Sequence, residues 1–482
     1  MSTKTTPRPV PGLGRGLFAL TDIAVGENVL DIPIPFVAVL NTDRLEDTCS
    51  GCFGQRQLED EKITLKACTG CQVVKYCDKT CQGKDWKFAH ALECSIFRNL
   101  QPRVLPINAR AMLRMVLRHG RGKYSSEELD QFLQLETHIK DVREKNAPQW
   151  ERISLTSKAV KAYSGTDMSE EVISAFGAKL EINAFNLTNA IYDRIGAYCH
   201  PYAALINHSC AYNSIASFDG PTLVIKALRP IPKDSQIFIS YIDATNPYPR
   251  RQSELQDRYF FTCRCPNCEK EATAPPPLSV AQEKAYNILS SISSIPPTEA
   301  THSLCSAITL LKTSGEPLTT QPSITLRDEL ISTLLLRGKF KSAFAHAAVR
   351  YRHTDPVVYP SATHPLRQVH AWTLAKLAIH LSTGIEPHGT NTTTSDGEGE
   401  EEIALEQFEV DFGLIVWSVL KGLVSVEETG ATGPGFKRMV RKAFGEVHGE
   451  FLAGGLDPRG LGEKIKVEWG KVDRLVGAVV GK

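Results

Sequence analysis

The chain lacks a preponderance of either charge: 55 basic residues meet 54 acidic ones, a formal net of +1 over 482 residues. That balance removes any global drive toward nucleic acid or an anionic membrane. It also lacks a long uninterrupted apolar run. Residues 1–11 are polar and proline-rich, with no apolar stretch of the kind a secretory signal needs. The most apolar early segment, 18–40, contains Asp22, Glu27, Asn28, Asp31, Pro33 and Pro35, too many charges and prolines for a membrane span. The expectation is a soluble intracellular protein, cytoplasmic, nuclear or both, with 42% apolar residues to build its cores. What the chain does have is cysteine, thirteen in all. In a reducing compartment that number points to metal ligands or free thiols rather than disulfides.

Composition divides the chain into regions. Residues 1–46 are short apolar runs with glycine turns, "GLGRGLFAL" and "NVLDIPIPFVAVL", which read as strands. Residues 47–97 hold seven of the cysteines, and 98–182 turn helical, with apolar residues at i, i+3, i+4 through "ARAMLRMVL" and "EELDQFLQLETHI". Strand patterns return in 183–245, notably "PTLVIKAL" and "QIFISYI", and a second cysteine group falls in 246–275. After a proline-rich linker at 271–277, residues 276–482 read as helices, with Gly338 at a turn between two of them. No clean repeat period emerges there, although a tetratricopeptide-like array fits the pattern. The acidic, low-complexity stretch 388–402 reads as a disordered loop.

From residue 49 the ligand-capable side chains fall as Cys49-x2-Cys52, Cys68-x2-Cys71, Cys77-x3-Cys81 and His90-x3-Cys94. Eight ligands in four pairs suit two tetrahedral zinc ions. The x3 spacings put two ligands one helical turn apart on one face. Some fifty residues bury little apolar surface, so metal would supply most of this module's folding energy. Spacing alone leaves the partnership of the four pairs open. The order resembles a MYND zinc finger, including "DW" at 85–86. That resemblance implies interleaved sites: Cys49, Cys52, Cys77 and Cys81 on one ion; Cys68, Cys71, His90 and Cys94 on the other. Between 49 and 94 there are seven Lys/Arg and six Asp/Glu, too balanced for strong phosphate binding. The resemblance instead implies recognition of proline-containing peptides.

Downstream, Cys263, Cys265 and Cys268 offer three corners of a further tetrahedron, and the fourth must come from Cys199, Cys210 or Cys305. Cys210 ends the string "NHSC" (207–210). Together with "ISYID" (239–243) and the "CxCxxC" group, this string resembles a SET domain with its post-SET zinc. A SET domain interrupted by a MYND finger is similar to the SMYD-type lysine methyltransferases, and the likeness runs from Gly12 to Cys268. It extends loosely to "VVYPSATHP" (357–365). The implied fold is α+β: a β-rich SET domain split by the finger and a helical insert, with "NHSC" threaded in a knot-like crossing, then an all-α C-terminal domain. Cys210 becomes the fourth ligand of a third zinc ion. Cys199 and Cys305 stay unassigned.

The implied activity is methyl transfer from S-adenosyl-L-methionine to a lysine on a histone or another protein. Direct transfer to a neutral amine needs no covalent intermediate, in keeping with a pattern that offers no activated Ser or Cys. Neutralising a lysine of pKa near 10.4 at pH 7 costs about 4.6 kcal/mol, and burial beside a sulfonium lowers that cost. By resemblance, Gly14, Arg15 and Gly16 cradle the methionine end of the cofactor. Asn207 and His208 hold it through side-chain and backbone hydrogen bonds, Asn183 and His138 contribute contacts, and Phe261 stacks on the adenine. Tyr241 is the catalytic tyrosine and Tyr259 walls the lysine channel. The chain departs from the pattern at Tyr212, where proline is usual, and at Asp234-Ser235-Gln236, where Gly-Glu-Glu is usual. A rival reading is a non-catalytic adaptor that recruits peptide partners. Either way the chain is expected to be monomeric, with no membrane and at most weak nucleic-acid contact.

One feature stands outside the resemblance. No acid occurs between Glu93 and Glu127, and Arg110, Arg114 and Arg118 share one helix face at i, i+4 and i+8. They read as a solvated basic face or, more sharply, as a docking strip for an acidic partner or nucleic acid.

Overall fold

The computed structural model describes residues 2–60, 62–273, 277–384, 405–426, 428 and 430–481. The expected loop at 388–402 and residues 274–276 of the expected linker lie outside that set. Two compact units divide the chain: residues 1–244, 249–271 and 433–439 in one, and 245–248, 272–432 and 440–482 in the other.

The first unit is built on small antiparallel sheets. In one, Ser2–Thr3, Asn28–Ile32, Thr222–Ala227 and Ser214–Asp219 lie side by side. Its last two strands form a hairpin through Gly220 and Pro221. Gly220 takes φ +60° at the first loop position, as a type II′ turn requires. A second sheet sets Arg194–Cys199 between Val37–Leu40 and Phe185–Thr188. Gly196 is obligatory there, because a Cβ would sit 2.1 Å from the Val39 carbonyl oxygen. Thr5–Val10 and Gly14–Ala19 form a separate hairpin. The "QIFISYI" strand shrinks to Phe238–Ile239, paired in parallel with Asn207–His208. This short ladder lays the two segments that carry the site side by side.

The predicted continuous helix through "EELDQFLQLETHI" is broken. Ser126–Leu133, opened by a capping box from Ser125 and Glu128, stops at Leu133, and a new helix, Ile139–Lys145, starts beyond His138. His138 adopts φ +46°, which no helix interior accommodates.

The basic helix face is also not what the sequence led us to expect. In Ile107–Gly120, residues 109–116 are all buried, and Arg110, Arg114 and Arg118 are only 4, 6 and 7% exposed. Arg114 grips both carboxylate oxygens of buried Glu93 at 2.7 and 2.8 Å and donates to the Ala38 carbonyl at 2.7 Å. Arg110 donates to the carbonyls of Leu40 and Leu105. Arg118 donates to the Phe88 carbonyl, with its guanidinium 3.8 Å from the Phe88 ring. Guanidinium stays charged when buried, so each fork is matched to carbonyls or a carboxylate. The three arginines join the cysteine-rich segment to strand Val37–Leu40, and neither a solvated face nor a docking strip exists there. Finger residues Cys49, Cys52, Cys68 and Cys71 share one apolar cluster with Leu17, Phe36, Ile225 and Ile237.

The second unit is all helical among the described residues, from Val280–Ser291 and Pro297–Thr313 to Gly462–Gly481, each early helix packing on the next. Gly338, at φ +69°, makes the turn between Ser323–Leu336 and Phe340–Val349. In the "VVYPSATHP" segment the rings of Tyr359 and His364 stack at 4.3 Å. No described helix is long and apolar enough to cross a membrane.

Arg114→Ala should cost about 3–5 kcal/mol in chemical denaturation of the zinc-loaded protein, because it strands Glu93 as a buried charge. Exposed Arg121→Ala should change stability by less than about 0.5 kcal/mol.

Candidate active site and metal centres

Three groups of ligand atoms converge, each within 4.8 Å: Cys49, Cys52, Cys77, Cys81; Cys68, Cys71, His90, Cys94; and Cys210, Cys263, Cys265, Cys268. Sulfur–sulfur separations are 3.7 Å for Cys52–Cys77, 3.8 Å for Cys68–Cys94 and 3.5 Å for Cys210–Cys268. A tetrahedron of zinc–sulfur bonds near 2.3 Å has edges of about 3.8 Å. The groups fit three zinc ions, and none of their cysteines is in a disulfide. Burial pushes the thiols of Cys77 and Cys94 up to about 12, so closely packed thiols resist joint ionisation until a dication balances them. Cationic neighbours back two of the groups. Arg56 Nη1 lies 3.7 Å from Cys81 Sγ, and buried Arg251 Nη2 lies 3.6 Å from Cys268 Sγ. In the first group, Asp78 caps the helix that carries Cys81; in the middle group, Glu93, held by Arg114, stands 3.8 Å from His90 Nδ1. Cys199 is fully buried in the core outside every group, and Cys305 is half-buried in the helical unit.

Next to the third group opens a cleft of about 460 Å³. Gly14, Arg15, His138, Asn183, Asn207, His208, Tyr241, Tyr259 and Phe261 all line it. Gly16 does not; it stands behind the wall, where a Cβ would come within 2.3 Å of Gln236 Nε2 and 2.9 Å of Asn207 Nδ2. The departure at Gln236 therefore falls against the glycine turn. Asn207 ties that turn down by donating from Nδ2 to the Arg15 carbonyl at 3.1 Å. Asn183 spends its Nδ2 on the carbonyls of Glu136 and Lys179, leaving Oδ1 as an acceptor.

Tyr241 is held at both ends. Its hydroxyl donates to the Ile206 carbonyl at 2.6 Å, and its backbone N–H donates to His208 Nδ1 at 3.0 Å. Burial pushes the phenol upward, so it remains a neutral donor. Its ring lies 5.0 Å from Tyr259 and 6.5 Å, edge-on, from Phe261. Tyr259 donates to the Tyr241 carbonyl at 3.4 Å.

Sequence reasoning missed Gln134, Glu136 and Phe260. Gln134 accepts from Arg15 Nη1 at 3.0 Å. The Glu136 carboxylate accepts the backbone N–H of His138 and of Thr137, which holds it below the usual carboxylate range and anionic in the cleft. The signal was present, two residues before His138 in "LETH". Phe260 had no such signal. It takes φ +61°, and its ring meets that of His138, itself left-handed, at 5.2 Å. Two strained residues meeting in one cleft each cost on the order of 1–3 kcal/mol, a pattern typical of functional sites.

The family model for the SET domain matches residues 14–242. Among curated proteins, the chain is 31% identical over 265 residues to SET domain and MYND-type zinc finger protein 6 of Schizosaccharomyces pombe, covering 55% of this chain and 52% of that one. It is 26% identical over 380 residues to histone-lysine N-methyltransferase SMYD3 of Mus musculus, covering 76% and 86%. It is 30% identical over 282 residues to N-lysine methyltransferase SMYD2 of Gallus gallus, covering 56% and 62%. The matched stretch thus spans about half the length of the first of these relatives. A solved structure described as the SET domain of LSMT bound to lysine and AdoHcy aligns over 93% of this chain and 88% of that one. Identity is 14% and the TM-score 0.27, too loose a superposition to carry weight.

Elemental analysis of the purified protein should return three zinc equivalents, and Cys210→Ser should lose one of them. Retention of all three in that variant would remove Cys210 from the ligand set.

Proposed function

Because the chain belongs to the SET- and MYND-containing, SMYD-type family, we propose that it is an S-adenosylmethionine-dependent protein-lysine N-methyltransferase. The observation that carries the reading is Tyr241, tethered once through its phenol and once through its backbone N–H, facing a cleft walled by Tyr259 and Phe261. When bound, S-adenosylmethionine supplies an electrophilic methyl group on a sulfonium. The rest is the work of this chain. The Gly14–Gly16 turn and Asn207 receive the methionine end. Glu136, held anionic, and the Asn183 Oδ1 offer acceptors for hydroxyl or amine donors. His138 and Phe261 offer flat faces for a base. Tyr241 orients the lysine amine, while Tyr259 excludes water from its approach.

Proton loss from the amine at pH 7 costs about 4.6 kcal/mol in water, and an apolar, aromatic-lined approach reduces it by disfavouring the ammonium. No dedicated base is needed. Histone or other protein lysines are the substrates, and the finger recruits proline-containing peptides. The near-balanced charge and the inward arginines leave little for nucleic acid. We place this activity in the cytoplasm or nucleus, with the chain acting as a monomer.

The alternative, an adaptor with an idle SET core, finds less support, since an idle core has no need of a cleft holding two strained residues. Labelled S-adenosylmethionine incubated with a protein extract should pass its methyl to lysine, and Tyr241→Phe should cut the rate by about a hundredfold or more. Equal incorporation by both would remove Tyr241 from the chemistry. Calorimetry should detect S-adenosylhomocysteine binding to the wild type, and its absence would favour the adaptor.

A further inference from the structure

His208 spends both ring nitrogens inside the protein. Nδ1 accepts the Tyr241 backbone N–H at 3.0 Å. Nε2 lies 3.4 Å from Cys210 Sγ, and the same imidazole hydrogen-bonds Cys263. An acceptor at Nδ1 leaves the proton on Nε2, so the ring donates to sulfur. The side chain is buried, its ring 5.3 Å from that of Tyr241 and 5.9 Å from that of Phe261. Nothing polar is left on it for a ligand in the cleft, and only its main chain remains for a cofactor. His208 is also not a metal ligand, since the converging group consists of the four cysteines.

The geometry points to a positioning role: His208 is the link through which the Cys210–Cys263–Cys265–Cys268 metal group holds Tyr241 in place. This inference rests on the methyltransferase reading of the cleft. A metal-bound thiolate is a fixed, negatively charged acceptor, and it locks the ring's tautomer and orientation. Ile206, two residues earlier, accepts the Tyr241 hydroxyl, so one short stretch clamps the tyrosine at backbone and phenol together. Without metal, the sulfurs would take up protons and separate. The imidazole would then lose its anchor, and Tyr241 would lose one of its two tethers.

Two substitutions in the full-length, zinc-loaded protein separate the halves of the link. His208→Gln keeps an N–H near the Nε2 position but loses the Nδ1 acceptor. His208→Asn keeps an acceptor near Nδ1 but loses the reach to sulfur. His208→Gln, which leaves the metal group intact, should bind S-adenosylhomocysteine with unchanged affinity. His208→Gln should lower kcat by about 10–100-fold, with the four cysteines as protected from alkylation under a chelator as in the wild type. His208→Asn should expose those four to alkylation about 10–100-fold faster, leaving the finger cysteines unchanged. Weakened S-adenosylhomocysteine binding with intact kcat at saturation would overturn the inference and make the ring a cofactor ligand. Wild-type alkylation rates in His208→Asn would overturn it too.

If the wild type transfers no methyl at all, the methyltransferase reading fails while the link is still decided by hydrogen exchange. Faster exchange at the Tyr241 amide in His208→Gln supports it, and unchanged exchange overturns it. Should neither variant fold, stripping zinc from the wild type gives the same reading. Alkylation of Cys210 accompanied by faster Tyr241 exchange supports the link, and alkylation without it overturns the link.

Discussion

The closure of Cys210 onto the Cys263–Cys268 group is the constraint on which the rest of the site depends. The two sulfurs at 3.5 Å belong to residues 58 positions apart. Tyr259, Phe260 and Phe261 immediately precede the second arm of that closure, so the same event that joins the sulfurs lays an aromatic wall across the cleft. Cross-linking a loop of that length removes chain entropy worth about 4 kcal/mol from the unfolded state. Hydrophobic contact alone would supply a wall of similar area, but not one fixed in register against Asn207 and Tyr241. The parallel pairing of Asn207–His208 with Phe238–Ile239 supplies the other half of that register, and it is only two residues long. A ladder so short has help at its ends: Cys210 joins the metal group two residues past His208, and the Tyr241 N–H donates to His208 Nδ1 across the pair.

A second constraint runs through the buried arginines. Ile107–Gly120 carries three guanidinium groups into the interior, and each ends on carbonyls or on Glu93. Arg114 serves two masters: it neutralises Glu93, which stands 3.8 Å from His90 of the middle metal group, and it caps the Ala38 carbonyl of an edge strand. Thus the side chain that orients a metal ligand also ties down the sheet.

Much of the site was legible because its chemistry demands rare residues at fixed spacings. Eleven cysteines and a histidine, mostly in close pairs, an Asn-His pair ahead of a cysteine, and a tyrosine just past a strand stand out in the sequence, and the fold brings them to three ligand groups and one cleft. Other features were not legible, each for a physical reason. Interleaving of the finger's ligands is a tertiary fact that spacing leaves open. The inward turn of Arg110, Arg114 and Arg118 was misread because charge on one face was taken as evidence of solvent. Ala109, Ala111, Met112, Leu113, Met115 and Val116 fill the rest of that helix, so the arginine stripe looks like the solvated edge of an amphipathic helix until Glu93 and the main-chain carbonyls are found facing it. The left-handed backbone at His138 and Phe260 reflects ring packing across the cleft, and neither residue type announces it. Glu136 was passed over because a carboxylate in a stretch expected to be helical looks like ordinary surface; the chain breaks there instead and turns the N–H groups of Thr137 and His138 toward it.

The single apolar cluster shared by finger cysteines and by Leu17, Phe36 and Ile225 has a consequence for how this protein can be taken apart. A domain stitched in by a flexible tether can be excised or transplanted and keep its own shape. Here the cysteine-rich segment is a keystone rather than a cassette: lifting it out would bare the oily underside of the strands and take Glu93 from Arg114 and the Phe88 carbonyl from Arg118.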